Sequence, residues 1–150
     1  VSVADPTARL NRALAIAAEA HAGQLKRGHE PFMAHVTRVV ASVEGIEVKI
    51  VAALHDVIEK SDWTLDRLAD EGFSPEILAA VDAMTKRPGE RFDALVQRAV
   101  ADPLARAVKV ADLRDNLSGW ERGRPSAERR ERVARYRRAL AELNAPGEVA

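Results

Sequence analysis

The sequence predicts an all-α domain, one compact bundle of about seven to eight helices. Three observations carry that expectation. Apolar residues recur three and four apart along most of the chain, and the β-branched residues follow the same spacing rather than a strand's alternation. Capping and breaking residues fall between these periodic runs. No internal repeat or low-complexity linker divides the 150 residues, a length that suits one domain with a proper hydrophobic core. The expected domain spans 1–150, with its motif-bearing core at about 6–118 and a C-terminal helix at about 127–143.

The first helix is expected from about Pro6 to Ala22, with Leu10, Leu14, Ala17, Ala18 and His21 on one face. Asp5 stands at its N-cap, Pro6 at its first position, and Gly23 ends it. The loop "GQLKRGHEPF" follows. A second helix starts near His35, carries Val36, Val39, Val40 and Val43, and breaks at Gly45. A third covers about Glu47–Lys60, with Val48, Val51, Ala52, His55 and Ile58 along one stripe. Two short helices come next, capped by Thr64 and by Ser74 with Pro75. Further helices are expected at about Phe92–Ala101, Pro103–Leu117 and Ala127–Leu143. The tail beyond Asn144 contains Pro and Gly and is expected to fray.

Composition narrows the function. Lys and Arg number 23 and Asp and Glu also 23, which argues against a general binder of nucleic acid or membranes. No cysteine is present, so disulfides and thiolate ligands are excluded. There is no basic segment followed by an apolar run at the N-terminus, and no apolar stretch spans a bilayer. A cytoplasmic location is the expectation.

Chemistry concentrates in "ALHDVIEKSDW", residues 53–63. His55 lies on the apolar stripe, and Asp56 follows it about 100° round a helix. The two can converge on an ion between their directions, and a divalent cation compensates a buried carboxylate. His35 stands at the entry of its helix. Asp112 lies in the inward-patterned "LARAVKVADLRDNLS". Two His and two Asp suit Mn, Fe, Mg or Zn. Each also has a plainer reading. A histidine on an apolar face is commonly a satisfied core residue, and Asp112 alone could pair with Lys109 or an arginine.

The segments "HAGQLKRGHEPFMAH", "ALHDVIEKS" and "AVKVADLRDNLS" occur in this order and at these separations. Together they resemble the HD-domain phosphohydrolases, specifically the RelA/SpoT-type hydrolase domain and the small alarmone hydrolases. The resemblance runs from about His21 to Leu117. It implies a single HD-type phosphohydrolase domain with metal ligands His35, His55, Asp56 and Asp112. It implies Mn(II) as the ion, a nucleotide substrate, and removal of the 3′-pyrophosphate from guanosine tetra- or pentaphosphate. Lys26 and Arg27 match basic residues that contact base and phosphates, in swapped order. Asn116 matches a nucleoside-contacting asparagine. For these three, a solvated charge pair and an ordinary helix-end residue are the alternatives. His21 reads as a buried histidine outside the ligand set.

The resemblance also calls for a Glu–Asp pair after the HD step. Glu59 matches the glutamate, four residues beyond His55 and within reach of the attacking water. The next position is Lys60 instead of Asp. Lys60 could pair with Asp56, bind a substrate phosphate, or turn outward. The alternative to an enzyme is therefore a catalytically impaired HD domain that senses a nucleotide or holds a partner protein; another nucleotide substrate is a third reading. Residues 120–138 hold eight arginines against three glutamates. They read either as a phosphate-attracting wall or homo-oligomer contact, or as an amphipathic helix with a solvated face opposite Val133, Tyr136, Ala139, Leu140 and Leu143.

Overall fold

A computed structural model describes residues 5–144, and among these the chain forms nine helices and no named strand. They are α1 (Pro6–Ala20), α2 (Phe32–Ala41), α3 (Ile46–Leu54), α4 (Val57–Lys60), α5 (Leu65–Asp70), α6 (Pro75–Met84), α7 (Phe92–Val100), α8 (Pro103–Glu121) and α9 (Ala127–Asn144). The all-α expectation agrees with this architecture. The tail beyond Asn144 lies outside the described residues.

The bundle is organised around α3. Ile50, Val51, Ala52, Ala53 and Leu54 are consecutive and all buried. A helix that is apolar all round must be wrapped by its neighbours. Helices α1, α2, α6 and α8 do this, and α8 in turn carries α9 on its other side. Ala13, Ile16 and Ala17 of α1, Val36 and Val39 of α2, and Val108 and Leu113 of α8 are each buried in the shared core.

Helix ends follow their caps. The Thr64 hydroxyl accepts the Arg67 N–H at 3.1 Å and the Ser74 hydroxyl accepts the Ile77 N–H at 3.2 Å, as the sequence predicts. Asp5 occupies the N-cap of α1 without a side-chain cap bond. Gly45 enters α3 with φ 94°, in the left-handed region that glycine adopts without strain.

Three boundaries differ from the sequence reading. Helix α2 begins at Phe32, so His35 sits a turn inside it rather than at its entry. The expected single helix at 47–60 is broken at His55–Asp56 into α3 and the one-turn α4. Asp56 takes φ −113° and ψ 3° there, leaving the helical well for the bridge region. Helix α8 also runs on past Leu117 to Glu121, where Trp120 is buried against the core.

The loop between α1 and α2 is folded back on itself. Leu25 and Pro31 form a β-bridge, the Lys26 N–H donates to the Glu30 carbonyl at 2.7 Å, and the Phe32 N–H donates to the Gln24 carbonyl at 2.9 Å. Gly28 and His29 turn the chain at positive φ. This holds Lys26 and Arg27 at fixed places on the rim of the bundle.

The α1–α3 seam should be a main source of stability. Replacing the fully buried Ile16 by Ala should lower the unfolding free energy by about 2–5 kcal/mol. Urea denaturation measures it, and a loss below about 1 kcal/mol would contradict a tightly packed seam.

Candidate metal centre

Four side chains from two helices and the α3–α4 break meet at one point. His35 comes from α2, His55 and Asp56 from the break, and Asp112 from α8. One ligand atom from each lies within 4.8 Å of all the others. Both histidines are buried and Asp112 is 6 % exposed. The break explains how adjacent residues share a target. A continued helix would turn Asp56 about 100° away from His55, whereas here Asp56 Oδ2 stands 3.0 Å from His55 Nε2.

The partners of each ring fix which nitrogen is available. His55 Nδ1 lies 2.6 Å from the Ala52 carbonyl oxygen, which only accepts, so this nitrogen carries hydrogen. His35 Nδ1 lies 2.6 Å from Asp115 Oδ2 and is likewise the donor. The Nε2 atom of each ring is left facing the common point. His35 Nε2 is 3.0 Å from Asp112 Oδ1, and His55 Nε2 is 3.3 Å from the same oxygen. His55 Nε2 is close to two carboxylates yet has no hydrogen bond of proper geometry.

An orphaned buried nitrogen aimed between two buried carboxylates is costly unless a cation lies among them. Two imidazole nitrogens and two carboxylate oxygens form a donor set that fits a first-row divalent ion or magnesium. The group satisfies the requirements of a metal site on donor type, convergence and burial.

The charges are strongly coupled. Burial opposes charge on His55, but Asp56 and Asp112 outweigh it and raise its pKa well above the usual imidazole value. Burial likewise opposes ionisation of Asp112, and Lys109 with the two imidazoles holds its pKa well below the usual carboxylate range. Asp56 is also lowered, against its burial, mainly by His55. Lys109 Nζ stands 3.4 Å from Asp112 Oδ2. The pairing considered for Asp112 and its place in the cluster therefore both hold.

A further layer escaped the sequence reading. Asp115 Oδ1 accepts from Arg38 Nε at 2.6 Å, and Arg38 is paired in turn with Glu30 at 2.5 Å. Arg38 and His35, working against partial burial, keep the Asp115 carboxyl below its ordinary range. This chain of charges fixes the ring plane of His35. The available signal was Asp115 itself, an acidic residue one helical turn past Asp112 in "ADLRDN". Its partner His35 is 80 residues away in sequence, so no local pattern pairs them.

The remaining candidates line the approach. A cavity of about 190 Å³ borders the cluster and is lined by His55, Asp56, Glu59, Lys60, Lys26, Lys86, Lys109, Asp112 and Asn116 among others. Asn116 Nδ2 lies 3.4 Å from Asp112 Oδ1. Glu59 is outside the four-donor group; its Oε1 accepts the Lys86 backbone N–H at 3.1 Å. Lys60 does not pair with Asp56: its ammonium is 4.0 Å from Glu59 and about half exposed. Arg27 lies flat against Trp120, 3.6 Å from the ring centroid, rather than in the inner cavity. His21 is buried outside the cluster, with Nδ1 2.9 Å from Gln24 Oε1.

Comparison with known proteins gives a consistent picture. No protein-family model matches the chain. A probable GTP pyrophosphokinase of Mycobacterium leprae is 30 % identical over 122 residues, covering 72 % of this chain and 15 % of that protein. A guanosine-3′,5′-bis(diphosphate) 3′-pyrophosphohydrolase of Vibrio cholerae is 30 % identical over 136 residues, 81 % of this chain and 19 % of its own length. The bifunctional (p)ppGpp synthase/hydrolase SpoT of Escherichia coli is 27 % identical over 146 residues, 87 % of this chain and 20 % of its own length. The chain thus spans a fifth or less of these relatives. A solved structure of a metazoan ortholog of SpoT that hydrolyzes ppGpp superposes with a TM-score of 0.77 at 23 % identity, covering 95 % of this chain and 89 % of that one.

Two predictions follow from the geometry of the centre. Asp115→Asn should keep the fold but weaken divalent-metal affinity by about 10–100-fold, through the freed His35 ring; competition titration against a chelating dye measures it. Metal uptake must also compete with the proton that Asp56 and Asp112 favour on His55, whose pKa they raise. Affinity should therefore fall as pH drops below that pKa and rise with pH through neutrality, for example from about pH 6 to about pH 8. A pH-independent affinity over that range would contradict the assignment of His55.

Proposed function

This chain is of the RelA/SpoT hydrolase-domain type, and from that premise we propose a metal-dependent phosphohydrolase. It would remove the 3′-pyrophosphate of a guanosine 3′,5′-bis(diphosphate)-like nucleotide. The observation that carries the reading is the convergence of His35, His55, Asp56 and Asp112 at the edge of a cavity rimmed by cationic side chains.

We assign those four residues as the ligands and Mn(II) as their ion. A bound divalent ion would supply Lewis-acid charge at a phosphoryl oxygen and lower the pKa of water. The residues of the chain perform the rest. Glu59 borders the same cavity, and the Lys86 N–H holds one of its oxygens, which aims the carboxylate. We assign Glu59 to take a proton from the attacking water as the new phosphorus–oxygen bond forms. The bond from phosphorus to the 3′-oxygen breaks, and that oxygen leaves to be protonated from solvent. Lys60 faces the cavity as a cation for phosphate oxygens.

An outer cavity of about 540 Å³ adjoins the first, sharing Lys26, Phe32, Lys60 and Asn116 with it and adding Arg27, Trp120, Arg132 and Tyr136. We place the nucleoside there, with Lys26, Arg27 and Asn116 as its contacts. The flat Arg27–Trp120 stack is a surface suited to a purine face. Among the described residues no helix is long and apolar enough to cross a membrane, and we place the enzyme in the cytoplasm, where its substrate class is found.

With Mn(II), the protein should release pyrophosphate from guanosine tetraphosphate, and His55→Ala or Asp56→Ala should abolish this. Glu59→Gln should retain metal while slowing turnover by about 10²–10⁴-fold. Full activity in His55→Ala protein stripped of metal would overturn the mechanism.

A further inference from the structure

Two lysines, Lys26 and Lys60, line both cavities. Lys26 Nζ lies 5.6 Å and Lys60 Nζ 5.9 Å from the centroid of the same Phe32 ring. Lys26 comes from the α1–α2 loop and Lys60 from the end of α4, so two separate elements bring their ammonium groups to one buried aromatic ring. Both side chains line the inner and the outer cavity.

Neither ammonium is neutralised by a close carboxylate. Among the described residues the ion pair of Lys60 is the 4.0 Å contact with Glu59, at the limit of such a contact, and Lys26 has none. Lys109, deeper in the inner cavity, is committed to Asp112. A lysine held over a ring face keeps its hydration and its donors turned outward, ready for an anion. Lys60 is anchored from behind, because its carbonyl accepts from Gln24 Nε2 at 2.7 Å. That bond also ties α4 to the loop that carries Lys26.

We propose that Lys60 and Lys26 form a two-lysine clamp over Phe32 that binds a second phosphate, distinct from the one undergoing reaction. This deepens the phosphohydrolase reading and rests on it for the identity of the reacting phosphate. It gives the lysine at position 60 a binding role that an aspartate could not fill, since a carboxylate would repel the same anion.

The second phosphate could belong to the 3′-pyrophosphate or to the 5′ side of the same nucleotide, and the test separates the two. The full chain, with the metal it carries on purification, is titrated calorimetrically with inorganic pyrophosphate and with orthophosphate, in wild type, Lys60→Gln and Lys60→Arg. Lys60→Gln should weaken pyrophosphate binding by about tenfold or more and leave orthophosphate binding unchanged. Lys60→Arg should recover most of the loss. Repeating the titration with guanosine 3′-diphosphate and guanosine 5′-diphosphate assigns the clamp to whichever loses affinity in Lys60→Gln. Unchanged pyrophosphate affinity in Lys60→Gln, or an equal loss for orthophosphate, overturns the clamp. A chain that binds pyrophosphate through Lys60 but hydrolyses no nucleotide would sustain the clamp while removing the hydrolase reading.

Discussion

Two carboxylates and two imidazoles meet inside an otherwise apolar bundle, and such an interior cannot hold them without a compensating charge. Much of the architecture serves that compensation. The most buried helix, α3, ends at the cluster, where its last backbone carbonyls are available as acceptors. One of them, Ala52 O, takes the Nδ1 hydrogen of His55. Lys109 supplies a fixed positive charge against Asp112. Arg38 and Glu30 carry the charge of Asp115 outward to solvent. What remains is a group of two imidazole nitrogens and two carboxylate oxygens, the donor type a divalent cation takes.

The break at His55–Asp56 is where chain geometry and this charge requirement meet. A regular helix would bury one of the two side chains and rotate the other away. By leaving the helical well at Asp56, the backbone interrupts the helix and brings donors from two adjacent positions to one point. It also redirects α4, so that Glu59 and Lys60 border the same cavity. Its cost is met by packing: Leu54 and Val57 on either side are fully buried, which holds the irregular segment in place.

Much of this was legible in the sequence, for identifiable reasons. Helical spacing, Thr64 and Ser74 as caps, and glycine at Gly45 are local signals, and each corresponds to a helix or boundary that forms. The four-residue cluster was legible because its members sit on inward faces and in an ordered set of motifs. The break was not, because "IVAALHDVIEK" keeps an unbroken apolar period across it. The side chains that His55 and Asp56 meet there come from α2 and α8, far away in sequence. The Asp115–Arg38–Glu30 chain was hidden for the same reason. Its partners lie far apart in sequence, and a surface "RD" reads as an ordinary charged pair. The position of Lys60 was also undecidable locally. Its reach to Asp56 presumed a helix continuous through that residue.

Lys60 changes meaning once its surroundings are known. In the sequence it stands against the expected acidic residue and invites the reading of a damaged site. In the structure it leaves Asp56 untouched, so the ligand set keeps its charge, and it joins Lys26 at the mouth of the cavity. Asp56 and Asp112 are more buried than Lys60, so under the proposed function the carboxylates would face the cation and the lysine the incoming anion. A site with the opposite arrangement would repel its substrate at the rim and its metal at the floor. Under the proposed function, this ordering of charge would separate cation binding from anion capture within one small cavity. It lets a lysine replace an acid beside the centre without disturbing the four donors that form it.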